Sequence, residues 1–188
     1  MYLMACTRPD LTYPLSLLAH YVAPSRHRKM HWDAAKRVLR YLCSTLGMGL
    51  VLGGRGPVVL TGHADASWVD DSATQRLSQG YTFSLGSSSV SWRSTRSSSV
   101  LSSSCEAEIY AGAMAAQELR WLTYLRTYLG EQPRSPPVLY QRGQLRLAYV
   151  ATRANTADIF IKALPPGDHQ RFSAVLGLVP TLPHLLIA

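Results

Sequence analysis

The hydrophobic period of this chain changes at Cys105, and that change restricts the folds open to it. Before it, "VVLTGHADAS", "GYTFSLGSSS" and "VSWRSTRSSS" alternate with period two, as half-buried strands do. After it, Ile109, Ala113, Ala116, Leu119, Leu122 and Leu125 recur at helical spacing. Gly86 and its serine neighbours mark a hairpin bend between the second and third strands. Ser103 or Ser104 is the expected N-cap of the helix, with a glutamate soon after it, and Gly130 is its expected stop. Strands followed by a long helix predict an α/β unit with a mixed sheet.

Helical patterns flank this unit. "DLTYPLSLLAHYVAP" reads as a helix with Pro14 near its start. "RHRKMHWDAAKRVLRYLCST" reads as a second, amphipathic and basic helix. Trp32, Ala35, Val38, Leu39 and Leu42 form its expected apolar stripe, with Arg28, Lys29, Lys36, Arg37 and Arg40 largely off it. Together they predict a helical hairpin over residues 1–52. "GGRGP" then punctuates the chain. Beyond the long helix, "PVLYQ" and "LRLAYVA" read as short strands, "TADIFIKAL" as a helix stopped by Pro165 and Pro166, and "HQRFSAVLGLV" as a last short helix. An α/β domain is expected over 53–179 and an apolar tail over 180–188.

The apolar fraction of 47% fits a folded protein, and the net charge of +8 favours an anionic partner, nucleic acid first and an acidic membrane surface second. The charge is uneven. Residues 1–40 hold seven Lys/Arg against two acids, residues 41–110 four against five, and residues 111–188 eight against four. An acidic centre between basic flanks suits a site that holds cations beside a polyanion. Cys6, Cys43 and Cys105 have neither disulfide-framework nor zinc spacing, so an intracellular setting, cytoplasm or nucleus, is expected. No signal peptide or membrane span is read in the sequence, and no membrane partner is expected.

The acids set the chemistry that can be considered. Hydrolysis of a phosphodiester by two metal ions needs several carboxylates around ions about 4 Å apart. Such ions, Mg²⁺ or Mn²⁺, take hard oxygen ligands. Asp65 lies at the end of the first strand, where it either binds metal or closes a turn. Glu106 and Glu108 lie in the first turn of the long helix, where the helix dipole favours anions. Positions two apart on a helix diverge, so only one of them can point inward. Asp158 opens the "TADIF" segment. His63, two residues before Asp65, either approaches such a site or is merely solvated.

Longer motifs resemble a known family. "YLMACTRPDLTYPLSLLAHYV" and "HWDAAKRVLRYL" resemble the segment joining reverse transcriptase to ribonuclease H in Ty1/copia-type retrotransposon polyproteins. "GHADASWVDD", "QRLSQGYTFSLGSSSVSWRSTRSSSVLSSSCEAEIYAG" and "GQLRLAYVATRANTADIFIKALP" resemble the ribonuclease H domain itself. The resemblance runs from Tyr2 to about Val179 and implies a truncated ribonuclease H-like mixed sheet behind an N-terminal helical hairpin. It places the catalytic, metal-binding acids at Asp65, Glu108 and Asp158, preferring Glu108 over Glu106, and implies an RNA–DNA hybrid as the ancestral substrate. The family's third acid, in a motif resembling Cys-Asp-Asn-Gln, has no counterpart here. "VLY" runs straight into "QRGQLRLAYV", so about thirty residues are expected to be missing after Tyr140, enough for a crossover element. Loss of a central carboxylate removes much of the transition-state stabilisation of a two-metal site, so a degenerate, inactive domain is expected.

Nucleic-acid contacts are expected from Arg28, Lys29, Lys36, Arg37 and Arg40, and by resemblance from Arg93 and Arg96, which lie near the acid motifs. Solvated helix residues would look the same. Trp68 and Trp92 can stack on bases or pack in the core. "RVLR", Arg37 to Arg40, also resembles the Arg-x-Leu-Arg tetrapeptide of secreted oomycete effectors, although here it falls inside a predicted helix. A secreted effector and a non-catalytic nucleic-acid-binding module are therefore the alternatives to a degenerate ribonuclease H-like domain.

Overall fold

The computed structural model describes residues 1–26, 28–53, 58–67, 77–97, 103–131 and 150–181. The predicted strand at "PVLYQ", all but the last two residues of that at "LRLAYVA", the position of the missing acid, Trp68 and the end of the tail lie outside them.

The period-two segments form an antiparallel sheet. β2 (Leu60–Ser67), β3 (Ser78–Leu85) and β4 (Ser88–Arg96) pair in the order β2-β3-β4. It follows β1 (Met48–Leu50), which belongs to a second sheet described below. The hairpin between β3 and β4 turns at Gly86, whose φ of 65° is one a side chain resists. A register shift sets Phe83 opposite Ser91 but Ser84 opposite Ser89, so Val90 is the extra residue of a bulge and faces outward.

Alternation along the strands gives the sheet two covered faces. Leu60, Tyr81 and Phe83 point to one face and pack against Ala115, Leu119 and Leu122 of a long helix, Ser104–Tyr128. This is α4, and its N-cap is Ser103, whose hydroxyl accepts a hydrogen bond from the Glu106 N–H at 3.1 Å. Small residues at Ala107, Ala111 and Ala115 allow the helix to lie close to the strands. On the other face Trp92 packs against Ile159, Phe160, Phe172 and Leu176. The first two belong to a 3-10 turn, Thr156–Phe160, and the others to α5 (Pro166–Val175) and the residue after it. The expected α-helix at "TADIFIKAL" is therefore a 3-10 segment, capped by the Asn155 side chain, which accepts from the Ala157 N–H.

The N-terminal region is helical as expected, in three pieces: α1 (Tyr2–Cys6), α2 (Thr12–Ala19) and α3 (Lys29–Ser44). The indole N–H of Trp92 donates to the Met4 carbonyl at 2.7 Å, tying α1 to β4. Its ring belongs to the core. A buried ion pair follows α1. Arg8 donates to both Asp10 oxygens at 3.0 and 2.7 Å, the Tyr41 hydroxyl donates to Asp10 Oδ2 at 2.7 Å, and Arg8 also donates to the Thr45 hydroxyl and carbonyl. Burial and Asp10 push the Tyr41 hydroxyl up to about 12. β1 pairs antiparallel with β5 (Leu178–Pro180), joining regions far apart in sequence.

The expected apolar stripe of α3 is met only in part, at Ala35, Val38 and Leu42. No residue of this helix is buried, and Trp32 and Leu39 are 63% and 60% exposed. The side turned toward the rest of the protein carries His31, Ala34, Ala35, Val38, Tyr41 and Leu42, all half-buried. Helical spacing was right; the face was displaced, because polar Tyr41 and His31 turn inward to partners at Asp10 and Tyr21.

Candidate functional site: a carboxylate cluster and a basic helix

Three elements bring acids together at one end of the sheet. Asp65 stands on β2 directly opposite Gly80 of β3. A Cβ at Gly80 would lie 2.6 Å from Phe160 Cβ, so only glycine lets the 3-10 segment pack down onto the strand. That packing sets Asp158 beside Asp65, and the Asn155 side-chain amide fixes the approach by donating to the Ala64 carbonyl at 3.2 Å. Glu108 comes from the second turn of α4 and lies close to the Asp65 carboxyl and the Ala66 N–H. The three sequence-expected acids are thus neighbours. Glu106 instead occupies the capping turn.

Electrostatics at the cluster follow from crowding like charges in a partly buried place. Burial first, then a side-chain hydrogen bond with Asp158 and the charges of Glu108 and Asp158, push Asp65 up to about 8. The Ala66 N–H, 2.9 Å from Asp65 Oδ1, opposes this weakly. Glu108 is raised too, mainly by desolvation of its carboxyl, with Asp158 adding to it. Asp158 is buried; its Oδ2 receives Lys162 at 2.7 Å, while its Oδ1 has no hydrogen-bond partner. A proton kept on Asp65 lets its carboxyl stand beside that of Asp158, since two ionised carboxylates cannot hydrogen-bond one another. His63, half-buried on the same strand, is lowered by burial.

The implied Mg²⁺ or Mn²⁺ can be tested against these donors. The bare Asp158 Oδ1 beside Asp65 is the kind of oxygen a divalent ion takes. Against it, Lys162 already neutralises the other oxygen, and among the described residues no group of three or more His, Cys, Asp or Glu is arranged to hold a metal. The described residues do not fit a two-ion site.

The expected basic residues separate into three places. Arg28, Lys29, Lys36 and Arg40 are exposed on the outer side of α3. Arg37 turns aside and, with half-buried Arg96, lines an apolar cleft of about 850 Å³ between α2, α3 and residues 159–164. Arg93 is exposed on β4. The sequence reading missed Lys162, which lies one helical turn from Asp158 and which that spacing could have signalled.

Comparison with known proteins finds relatives over most of the chain. The chain is 32% identical to the retrovirus-related Pol polyprotein from transposon RE2 of Arabidopsis thaliana, over 96% of this chain and 14% of that polyprotein. It is 35% identical to the corresponding polyprotein from transposon TNT 1-94 of Nicotiana tabacum, over 69% of this chain and 10% of that one. Secreted RxLR effector protein 161 of Plasmopara viticola is 44% identical, over 65% of this chain and 85% of that protein. The chain is homologous over most of its length to retrotransposon Pol polyproteins. It spans only about a seventh of the RE2 polyprotein. No family model matches it, and no solved structure does. Among the described residues, no helix of this Pol relative is long and apolar enough to cross a membrane.

Proposed function

We propose that this Pol-family chain is a degenerate ribonuclease H-like domain that binds nucleic acid and does not hydrolyse the RNA strand of a hybrid. The observation that carries the reading is the convergence of Asp65, Glu108 and Asp158 from a strand, a helix and a 3-10 turn, with Lys162 on the last of them. Three antiparallel strands followed by α4 agree with a ribonuclease H-like order. The match to RE2 runs over 213 aligned positions although the whole chain has 188 residues, which supports a loss of residues relative to the polyproteins. At this cluster Lys162 pairs with Asp158. Basic flanks provide sequence-independent, salt-dependent contacts to phosphates.

The test is incubation of the purified protein and Asp65→Asn with a labelled RNA–DNA hybrid in Mg²⁺ and in Mn²⁺, alongside a binding titration. Expected are binding that weakens steeply with salt and equal, background cleavage by both proteins. Metal-dependent cleavage abolished by Asp65→Asn would overturn the inactive assignment, and absence of any binding at low salt would overturn the nucleic-acid assignment.

A second reading is favoured by the effector-named relative. Under it, Arg37–Arg40 would act as an export tetrapeptide, although it lies within α3 with Leu39 exposed and Val38 half-buried. Export of a tagged protein, lost on Arg37→Ala with Arg40→Ala, would select this reading.

A further inference from the structure

We propose that the outer side of α3 is a stacking platform for single-stranded nucleic acid, with Trp32 receiving a base and the flanking cations holding the backbone. The inference rests on the nucleic-acid reading above and narrows its ligand. At 100° per residue, Arg28, Lys29, Trp32, Lys36, Leu39 and Arg40 fall on one side of the helix, and all are exposed. Asp33 is the one acid in α3, and its 3.9 Å contact with Lys36 is partly exposed and weak. The stripe is therefore cationic and calls for a polyanion.

An indole open to solvent in the middle of such a stripe is what a duplex cannot use and a single strand can. Paired bases hide their faces in the stack, whereas an unpaired base offers a π-surface. The Lys36 ammonium lies 5.5 Å from the Trp32 ring centroid, so it braces the ring and stands where the phosphate beside a stacked base would come. From Arg28 to Arg40 the helix rises about 18 Å, enough for a few nucleotides. Leu39, one turn on, adds a second apolar contact. Sequence pattern alone hid this surface by assigning Trp32 to the core.

Fluorescence anisotropy of a labelled twelve-nucleotide oligo-dT and of a blunt duplex of equal length decides the matter, read for the full chain, Trp32→Ala, Trp32→Phe and Lys36→Gln. Each variant's urea midpoint is checked; all three changes are on exposed positions. The full chain is expected to prefer the single strand. Trp32→Ala should weaken it about tenfold with duplex binding nearly unchanged, while Trp32→Phe keeps most of the affinity. Lys36→Gln should reduce the salt slope by about 0.7. Equal affinity of Trp32→Ala and the full chain for oligo-dT would overturn the platform while leaving the broader nucleic-acid reading intact. Absence of binding to either probe would overturn both. Sedimentation with phosphatidylserine vesicles, lost in Trp32→Ala without any effect on oligo-dT, would assign the stripe to a membrane surface and overturn the proposal.

Discussion

Asp65 is the residue on which the chemistry of the cluster turns. Its ordinary value is 3.8 and the fold raises it to about 8, so between those values the folded protein keeps a proton that the unfolded chain has released. Stability then falls as pH rises through that window and levels off above it. Asp65→Asn removes the titration, and its amide can still donate to the Asp158 carboxylate. We expect the urea midpoint of Asp65→Asn to gain on that of the unaltered chain as pH rises from 5 to 8.5. Parallel midpoints across the range would mean that Asp65 is ionised in the folded state. That Asp65, Glu108 and Asp158 would be neighbours was legible only through the family motifs. Spacing offered Glu106 equally, and its N–H is the one that meets the Ser103 cap. Lys162 was missed because a lysine four residues from an acid is common on any surface, and only burial of Asp158 makes this one matter.

Elements were legible in proportion to their length and to the regularity of their surroundings. The β3–β4 hairpin and α4 follow the sequence because turn, cap and stop residues agree with a sustained period. The 3-10 segment at Thr156–Phe160 departs from its helical pattern because it must lie against β3 across Gly80. Gly80→Ala tests that contact. The new methyl would meet Phe160 Cβ, Ile161 Cγ2 at 3.1 Å and the Arg93 carbonyl at 3.3 Å, and backbone cannot give way cheaply. A loss of about 1–3 kcal/mol is expected in chemical denaturation. The segment's shift should also take Asp158 from Asp65 and flatten the pH dependence described above. α4 shows the converse limit. Its pattern correctly gave Leu119 and Leu122 to the core, yet Ile109, Ala113 and Leu125, expected there as well, are exposed. A helix apolar on several sides does not declare which side the sheet will take.

Across the whole molecule, the run from N-terminal helices through three strands to α4 could be read, but the contacts that close the fold could not. β1 and β5 are three residues each, too short to show a period, and their pairing joins Met48 to Pro180. The hub at Arg8, Asp10, Tyr41 and Thr45 was equally hidden, because "TRPD" reads as a polar break in an apolar N-terminus. Burial turns it into a structural constraint. Asp10 is 1% exposed, and Arg8 neutralises it while reaching the end of α3 through Thr45. Such a pair is poor at adding stability over an apolar substitute, but breaking it strands the remaining charge. Arg8→Ala should therefore cost about 3–5 kcal/mol in urea unfolding, since Asp10 would keep only the Tyr41 hydroxyl as a side-chain donor. Arg8→Met combined with Asp10→Asn removes both charges and keeps an acceptor for Tyr41, so it should be clearly more stable than Arg8→Ala. If the double variant is no better than the single one, packing of the Arg8 side chain rather than charge compensation holds the N-terminal helices to the domain.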